Sequence, residues 1–308
     1  MLYLVNKKEE DLGENHRMQG IAVMTDSNSG MSREEGERLG ISVLPMPFLI
    51  DGTFHLEGVD LTQEEFYRLL GQNAEVSTSQ PSPGEIMDWW GELLNSHDEV
   101  LYIPMSSSLS ESCHAAQNLA LEYGGKVQVV DNRRISVTQR QSVLDAVELA
   151  KKGLRAPVIK EILEREALEA SIYITVDTLK YLKKGGRITS AAAAIGTVLN
   201  LKPVLTIQGG KLDAAGKARG MKAARRIMVN AMGRDCETRF EKACREGRMR
   251  LQIAYSQISR EVLDSWLEEV QAAFPGVEIY AAPLSLSIAC HIGPGALALA
   301  AAKVPEEL

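Results

Sequence analysis

Two rhythms of apolar residues alternate along the chain. Short, mostly apolar runs, Ile21-Ala22-Val23-Met24, Val100-Leu101-Tyr102-Ile103, Val127-Gln128-Val129-Val130 and Ile172-Tyr173-Ile174-Thr175-Val176, read as strands buried on both faces. Between them apolar residues recur at helical spacing, as in Phe66, Leu69 and Leu70, in Ile86, Trp89, Trp90, Leu93 and Leu94, and in Leu109, Cys113, Ala116, Leu119 and Ala120. Helices are further expected over 33–39, 139–151 and 158–170. Strand and helix alternate up to about Ala170, which predicts a parallel sheet with helices on both faces. There the chain begins again. Strands are expected at 171–176, 202–207, 250–255 and 277–281, a short helix around Leu179 and Leu182, an alanine-rich helix over 189–200, a long helical region over 221–246 broken near Gly233, and a helix over 262–274. His291 is read as lying at a strand end, before Gly293-Pro294-Gly295.

Turn residues punctuate this pattern. The extended stretch 41–50 runs into Asp51-Gly52, a turn that would close a hairpin with 53–56. Thr62 and Glu65 have capping-box spacing, and Pro81 and Pro83 forbid a helix through Gln80 while opening one just after it. Gly209-Gly210 predicts a second hairpin, and Gly185-Gly186 a left-handed helix stop.

Composition adds limits. The 308 residues are 45% hydrophobic and 24% charged with a net charge of -7, ordinary for a globular protein and without a basic field for nucleic acid. Cys113, Cys236, Cys244 and Cys290 form no CxxC pair, so no zinc or redox motif is expected and reduced thiols in a cytoplasm are the simplest reading. Cys236 and Cys244 fall in one helical stretch and are expected on different faces. Residues 1–19 read as a solvated arm, or as an upstream start with Met18 opening the domain, and no run is apolar enough to span a bilayer.

The candidate chemistry lies where strands run into hydroxyl clusters. Ser106-Ser107-Ser108-Leu109-Ser110 joins an apolar strand to a helix, and the first N–H groups of a helix make an anion site that serine hydroxyls complete. Any one of these serines could equally be an N-cap. A second cluster, Ser77-Thr78-Ser79-Gln80-Pro81-Ser82, could converge on the same ligand. Asp26 and Ser27 end the first strand, where ligands bind in open parallel sheets, or they cap the next helix. His291 is either a site residue beside permissive glycines or a structural histidine. A serine hydrolase could draw on Ser107 or Ser110 with His291 and Asp26, but the Gly-x-Ser-x-Gly elbow is missing, as are the glycine-rich nucleotide motifs. Arg187, Lys202, Lys217 and Arg219 flank glycine turns and could border an anion or an acidic partner.

In this order, Thr25-Asp26-Ser27, Thr78-Ser79-Gln80-Pro81-Ser82, Ser106-Ser107-Ser108-Leu109-Ser110, Asp177-Thr178-Leu179, Lys183-Lys184-Gly185-Gly186-Arg187, Leu201-Lys202-Pro203, Lys217-Ala218-Arg219-Gly220 and His291-Ile292-Gly293-Pro294-Gly295 form a specific signature. The chain resembles the DegV family of bacterial fatty-acid-binding proteins from Ile21 to its end. The resemblance implies a two-domain α/β fold: an N-terminal parallel-sheet α/β domain, 20–170, and a C-terminal α/β domain with a mixed sheet, 171–308, with a long-chain fatty acid such as palmitate, stearate or oleate between them. It implies no catalysis and no cofactor or metal. Thr78 and Ser110 would bind the carboxylate, and Ser107, His291, Ser79, Asp26 and Ser27 would be secondary head-group candidates. A separate fatty acid kinase would phosphorylate the carboxyl group, meeting Arg219, Lys202 or Arg187, and transient contact with a membrane surface is compatible with such a carrier. Ile195, Val198, Leu199, Val204 and Leu205 are expected walls for the acyl chain. One residue departs from the family: Glu111 stands where a glycine is usual, and if turned inward it would repel an anion and favour another amphiphile. A serine-dependent acyl hydrolase is the alternative.

Overall fold

The computed structural model describes residues 20–195 and 201–308, so the expected arm, the end of the alanine-rich helix, Val198 and Leu199 lie outside the described residues. The strands in chain order are β1 Ile21–Asp26, β2 Ile41–Leu44, β3 Pro47–Ile50, β4 Thr53–Leu56, β5 Val76–Thr78, β6 Glu99–Ile103 and β7 Val127–Val129. They continue with β8 Ala170–Thr175, β9 Leu201–Ile207, β10 Asp213–Arg219, β11 Met249–Tyr255, β12 Ile279–Pro283 and β13 Leu297–Lys303.

The architecture is α/β. A four-stranded parallel sheet has the order β2-β1-β6-β7, with Val23 opposite both Ile41 and Leu101. The apolar runs follow from burial on both sides: Val23, Leu101 and Ile103 pack with the helices Ser136–Lys151 and Ala156–Arg165, and Met24, Val100 and Tyr102 pack with Trp90. The six-stranded sheet β10-β9-β8-β13-β11-β12 is mixed, antiparallel except where β11 meets β12. The last strand, β13, is central and sorts its residues by face. Leu297, Leu299 and Ala301 enter the core under the helix Met221–Glu237, whereas Ala296, Ala298 and Ala300 face the opposite cluster. Small residues on that second face leave the room in which the site is found.

Several boundaries differ from the sequence reading for local reasons. The stretch 41–50 is two strands in two sheets, because Pro45-Met46 ends β2 and hands the chain to a three-stranded antiparallel sheet, β4-β3-β5. Its hairpin turns at Asp51 and Gly52, with φ of 49° and 78°. The expected loop at Ser77 begins as β5, so Thr78 is held in register opposite Phe48. The helix from Met221 runs through Gly233 and breaks after Glu237 instead, and Cys236 and Cys244 lie on separate helices, both packed against the same core cluster. His291 is not at a strand end. It occupies the last turn of the helix Leu286–Ile292, which starts at the N-cap Ser285 and stops at Gly293, φ 76°. No helix among the described residues is long and apolar enough to cross a membrane.

Candidate functional site

A narrow slot runs between the cavity-side face of the mixed sheet and the loops of the N-terminal half. Ile172 and Ile174 on β8, Ala254 on β11 and Ala298 on β13 form one wall, and Met46, Met105, Leu109 and Val137 help form the other. It encloses about 80 Å³, room for a file of roughly half a dozen water-sized groups at ~10–15 Å³ each. A longer guest must widen it, and the unbranched Met46 and Met105 are the side chains best able to yield. The expected walls fall elsewhere. Val204 packs on the far face of the sheet, and Leu205 belongs to the slot-side cluster without lining the slot, as does Ile195 packed against it.

Thr78, Ser79, Ser110, Arg187 and His291 all line this slot, brought together from four separate segments. Strand β5 holds Thr78, whose hydroxyl is hydrogen-bonded to His291 Nε2 at 3.0 Å. Ser110 sits just before the helix Ser112–Ala120, where its hydroxyl accepts from Ser112 N at 3.3 Å and pairs with Ser112 Oγ at 2.9 Å. The strand–serine–helix junction thus has the form the sequence implied. Arg187 Nε donates to Leu109 O at 3.1 Å, which brings a cation to the same end of the slot. Burial, with Arg187 adding repulsion, pushes the His291 imidazole down to about 4, so the ring is neutral at pH 7. The ring has no slack: a Cβ on Gly185 would lie 2.1 Å from His291 Nδ1. The glycines after it answer the same kind of demand. A Cβ on Gly293 would meet the Tyr181 ring at 2.4 Å, and one on Gly295 the Asp177 carboxylate at 2.4 Å.

The remaining candidates are engaged elsewhere. Asp26 is fully buried and accepts from Asn28 N at 3.1 Å, Met105 N at 2.9 Å and Gln139 Nε2 at 3.0 Å. It latches the strand ends together behind the slot and makes no contact with His291, so the Ser–His–Asp arrangement of a hydrolase is not assembled. Ser27 donates to Glu57 at 2.8 Å and Ser107 binds Asp131, both away from the slot. Lys202 pairs with Asp177 at 2.5 Å, and Arg219 lies exposed on β10. Glu111 is 84% exposed and turned toward His114, so it does not oppose an anion in the slot. Among the described residues no cluster of His, Cys, Asp and Glu could hold a metal.

Sequence reading missed Glu57. Its carboxylate accepts from Leu286 N, the start of the helix that ends in His291, and from Ser27 Oγ. Nothing in His55-Leu56-Glu57-Gly58 signals this, because the partner is distant in the chain. Burial pushes the carboxyl up to about 7, partly offset by the Leu286 and Ser287 N–H groups and the Ser27 hydroxyl. The folded state therefore holds a proton that the unfolded chain releases near 4.5, and stability falls as pH rises from there through 7. Replacing Glu57 by Gln fixes the neutral form. The variant is expected to match wild type near pH 4 and to exceed it at pH 8, by up to about 3 kcal/mol at ~1.4 kcal/mol per pH unit. Thermal melts across that range check this, and parallel curves for the two proteins would refute it. His291, lowered rather than raised, tilts both curves equally in the opposite sense below pH 6.5.

A family model described as an uncharacterised protein of the DegV family matches residues 20–304. A DegV domain-containing protein of Deinococcus radiodurans is 38% identical over 66% of this chain and 73% of its own. Among solved structures, a DegV family protein from Thermus thermophilus, described as fatty acid binding, superposes with a TM-score of 0.82 at 34% identity, covering 92% of this chain and 99% of that one. The DegV of Bacillus subtilis, described as a fatty acid binding protein, superposes at 0.78 and 29% identity, with 92% and 99% covered.

Proposed function

The chain belongs to the DegV family, and from that premise we propose that it is a non-catalytic carrier of a long-chain fatty acid, with Thr78 and Ser110 binding the carboxylate. The observation that carries the reading is the polar end of a mostly apolar slot. Two hydroxyls, a neutral imidazole and a guanidinium converge there, and most of the residues lining the rest are aliphatic. A carboxylate taken out of water needs directed donors to offset its lost hydration. Thr78 Oγ1 and Ser110 Oγ supply two, His291 holds the first in place, and Arg187 supplies charge. Each methylene buried adds ~0.8 kcal/mol. The fatty acid binding described for the Thermus and Bacillus relatives supports the same reading.

A carrier whose carboxyl group sits at the protein surface end of its slot can hand that group to a second protein. We infer that a fatty acid kinase is that partner, and that exposed Arg219, with Lys202 beside Asp177, faces it or the acyl phosphate. The reduced thiols are consistent with a cytoplasmic setting.

Native mass spectrometry of the purified protein, followed by solvent extraction and lipid analysis, tests the carrier reading. A stoichiometric increment matching a C16 or C18 acid, lost on denaturation, is the expected result. A mass that stays that of the bare chain after incubation with palmitate or oleate sinks it.

A further inference from the structure

The slot carries a second polar station that a plain acyl chain leaves unmet. Asn28 and Ser136 both line it, 1% and 5% exposed, and among the described residues neither Asn28 Nδ2, a donor lying near the Asp26 carboxylate, nor Ser136 Oγ, a donor and acceptor, has a well-formed hydrogen bond. Neither is an accident of a loose loop. The other side of the Asn28 amide is engaged: its Oδ1 accepts from Ser287 Oγ and from Ser285 Oγ at 3.5 Å. Ser136 opens the helix Ser136–Lys151 at φ 55°, a left-handed conformation that disfavours every residue with a side chain. Strain of this kind persists where the surroundings demand it, and glycine would relieve it while removing the hydroxyl. A buried donor without an acceptor is destabilising, so groups of this sort imply a polar partner in the occupied state.

The station can be located along the slot. Asn28 is tied to Ser287, and His291 lies one helical turn, about 5.4 Å, beyond Ser287 on the same face of the helix Leu286–Ile292. A chain anchored at Thr78, Ser110 and His291 therefore meets Asn28 with its proximal carbons, not its tip. Resting on the carrier reading above, we propose that the slot selects a fatty acid bearing a hydroxyl group near its carboxyl end. Its oxygen accepts from Asn28 Nδ2 and its proton goes to Ser136 Oγ. A chain hydroxyl can serve both groups, accepting from the amide and donating to the serine oxygen.

The test measures dissociation constants for palmitate, 2-hydroxypalmitate, 3-hydroxypalmitate and, as a distal control, 12-hydroxystearate with stearate as its parent. A proximal hydroxyl in at least one isomer is expected to tighten binding about tenfold over palmitate, with no gain for the distal one. Ser136→Ala and Asn28→Leu are each expected to cut that preference below about threefold while palmitate binding stays within about twofold. Equal affinity for palmitate and both proximal isomers overturns the proposal and means that water serves these groups; it leaves the carrier reading standing. A gain confined to 12-hydroxystearate also overturns it, as does a preference that survives in both variants. Binding of none of the acids defeats the carrier reading and the proposal together.

Discussion

Thr78→Ala combined with Ser110→Ala is expected to weaken palmitate binding by about a hundredfold or more and to leave the fold nearly as stable. The magnitude comes from the charge on the acceptor. A hydrogen bond to an ionised group contributes ~1.5–3 kcal/mol, so two together correspond to roughly 10²–10⁴ in affinity at ~1.4 kcal/mol per decade. The small effect on stability has its own argument. Among the described residues Thr78 Oγ1 is hydrogen-bonded only to the neutral His291, and Ser110 Oγ serves as a local cap for Ser112 N, a role worth ~1 kcal/mol. The control is a ligand of the same chain with no charge. Hexadecanol should lose little in the double variant, because the apolar walls are untouched. Thr78→Ser, which keeps the hydroxyl, should bind palmitate nearly as wild type does. Palmitate affinity unchanged in the double variant would mean that the carboxylate sits elsewhere in the slot, with Arg187 and Ser79 the next residues to vary.

Much of this arrangement could be read before the structure, and the reasons are physical. Strands buried on both faces announce themselves as mostly apolar runs, which is why β1, β6 and β8 fall where expected. Caps and turns are local chemistry, and the Thr62–Glu65 capping box and the Asp51-Gly52 turn formed as their residues dictate. What failed was decided at a distance. Ile288-Ala289-Cys290-His291-Ile292 has a strand-like composition, yet it is helical because Ser285 caps it and Glu57 binds its first N–H from the other half of the chain. Asp26 at a strand end has the same signature as a ligand carboxylate or as a latch, and only its three donors show it to be the latch. Asn28 and Ser136 carry no pattern, since their significance lies in polar atoms that, among the described residues, find no well-formed hydrogen bond once folded. The convergence of the Thr78 and Ser110 clusters was open from their pattern and the grouping of both with His291 followed from family resemblance, because periodicity places residues on elements and does not bring elements together.

Gly185→Ala should destabilise the protein and disable the site at once, against the trend for a helical glycine. Gly185 ends the helix Lys180–Gly185 with an ordinary helical backbone, where alanine would by itself gain up to ~1 kcal/mol. The added methyl, however, falls 2.1 Å from His291 Nδ1, 2.8 Å from Cε1 and 3.2 Å from Cγ. The imidazole is a rigid ring held on its other edge by Thr78, so it cannot bend away as a lysine tip would. Overpacking of this kind costs ~1–3 kcal/mol, which outweighs the propensity gain, and the displaced ring releases Thr78 and leaves the head-group end misaligned. A double-mutant cycle separates this from generic damage. His291→Ala removes the ring that the methyl strikes, so Gly185→Ala on that background should become neutral or stabilising, with a coupling of ~1–3 kcal/mol. Denaturant unfolding of the four proteins gives the coupling directly. Additive losses would show that the clash is relieved by a backbone shift that leaves His291 in place, and then palmitate binding by Gly185→Ala should survive as well.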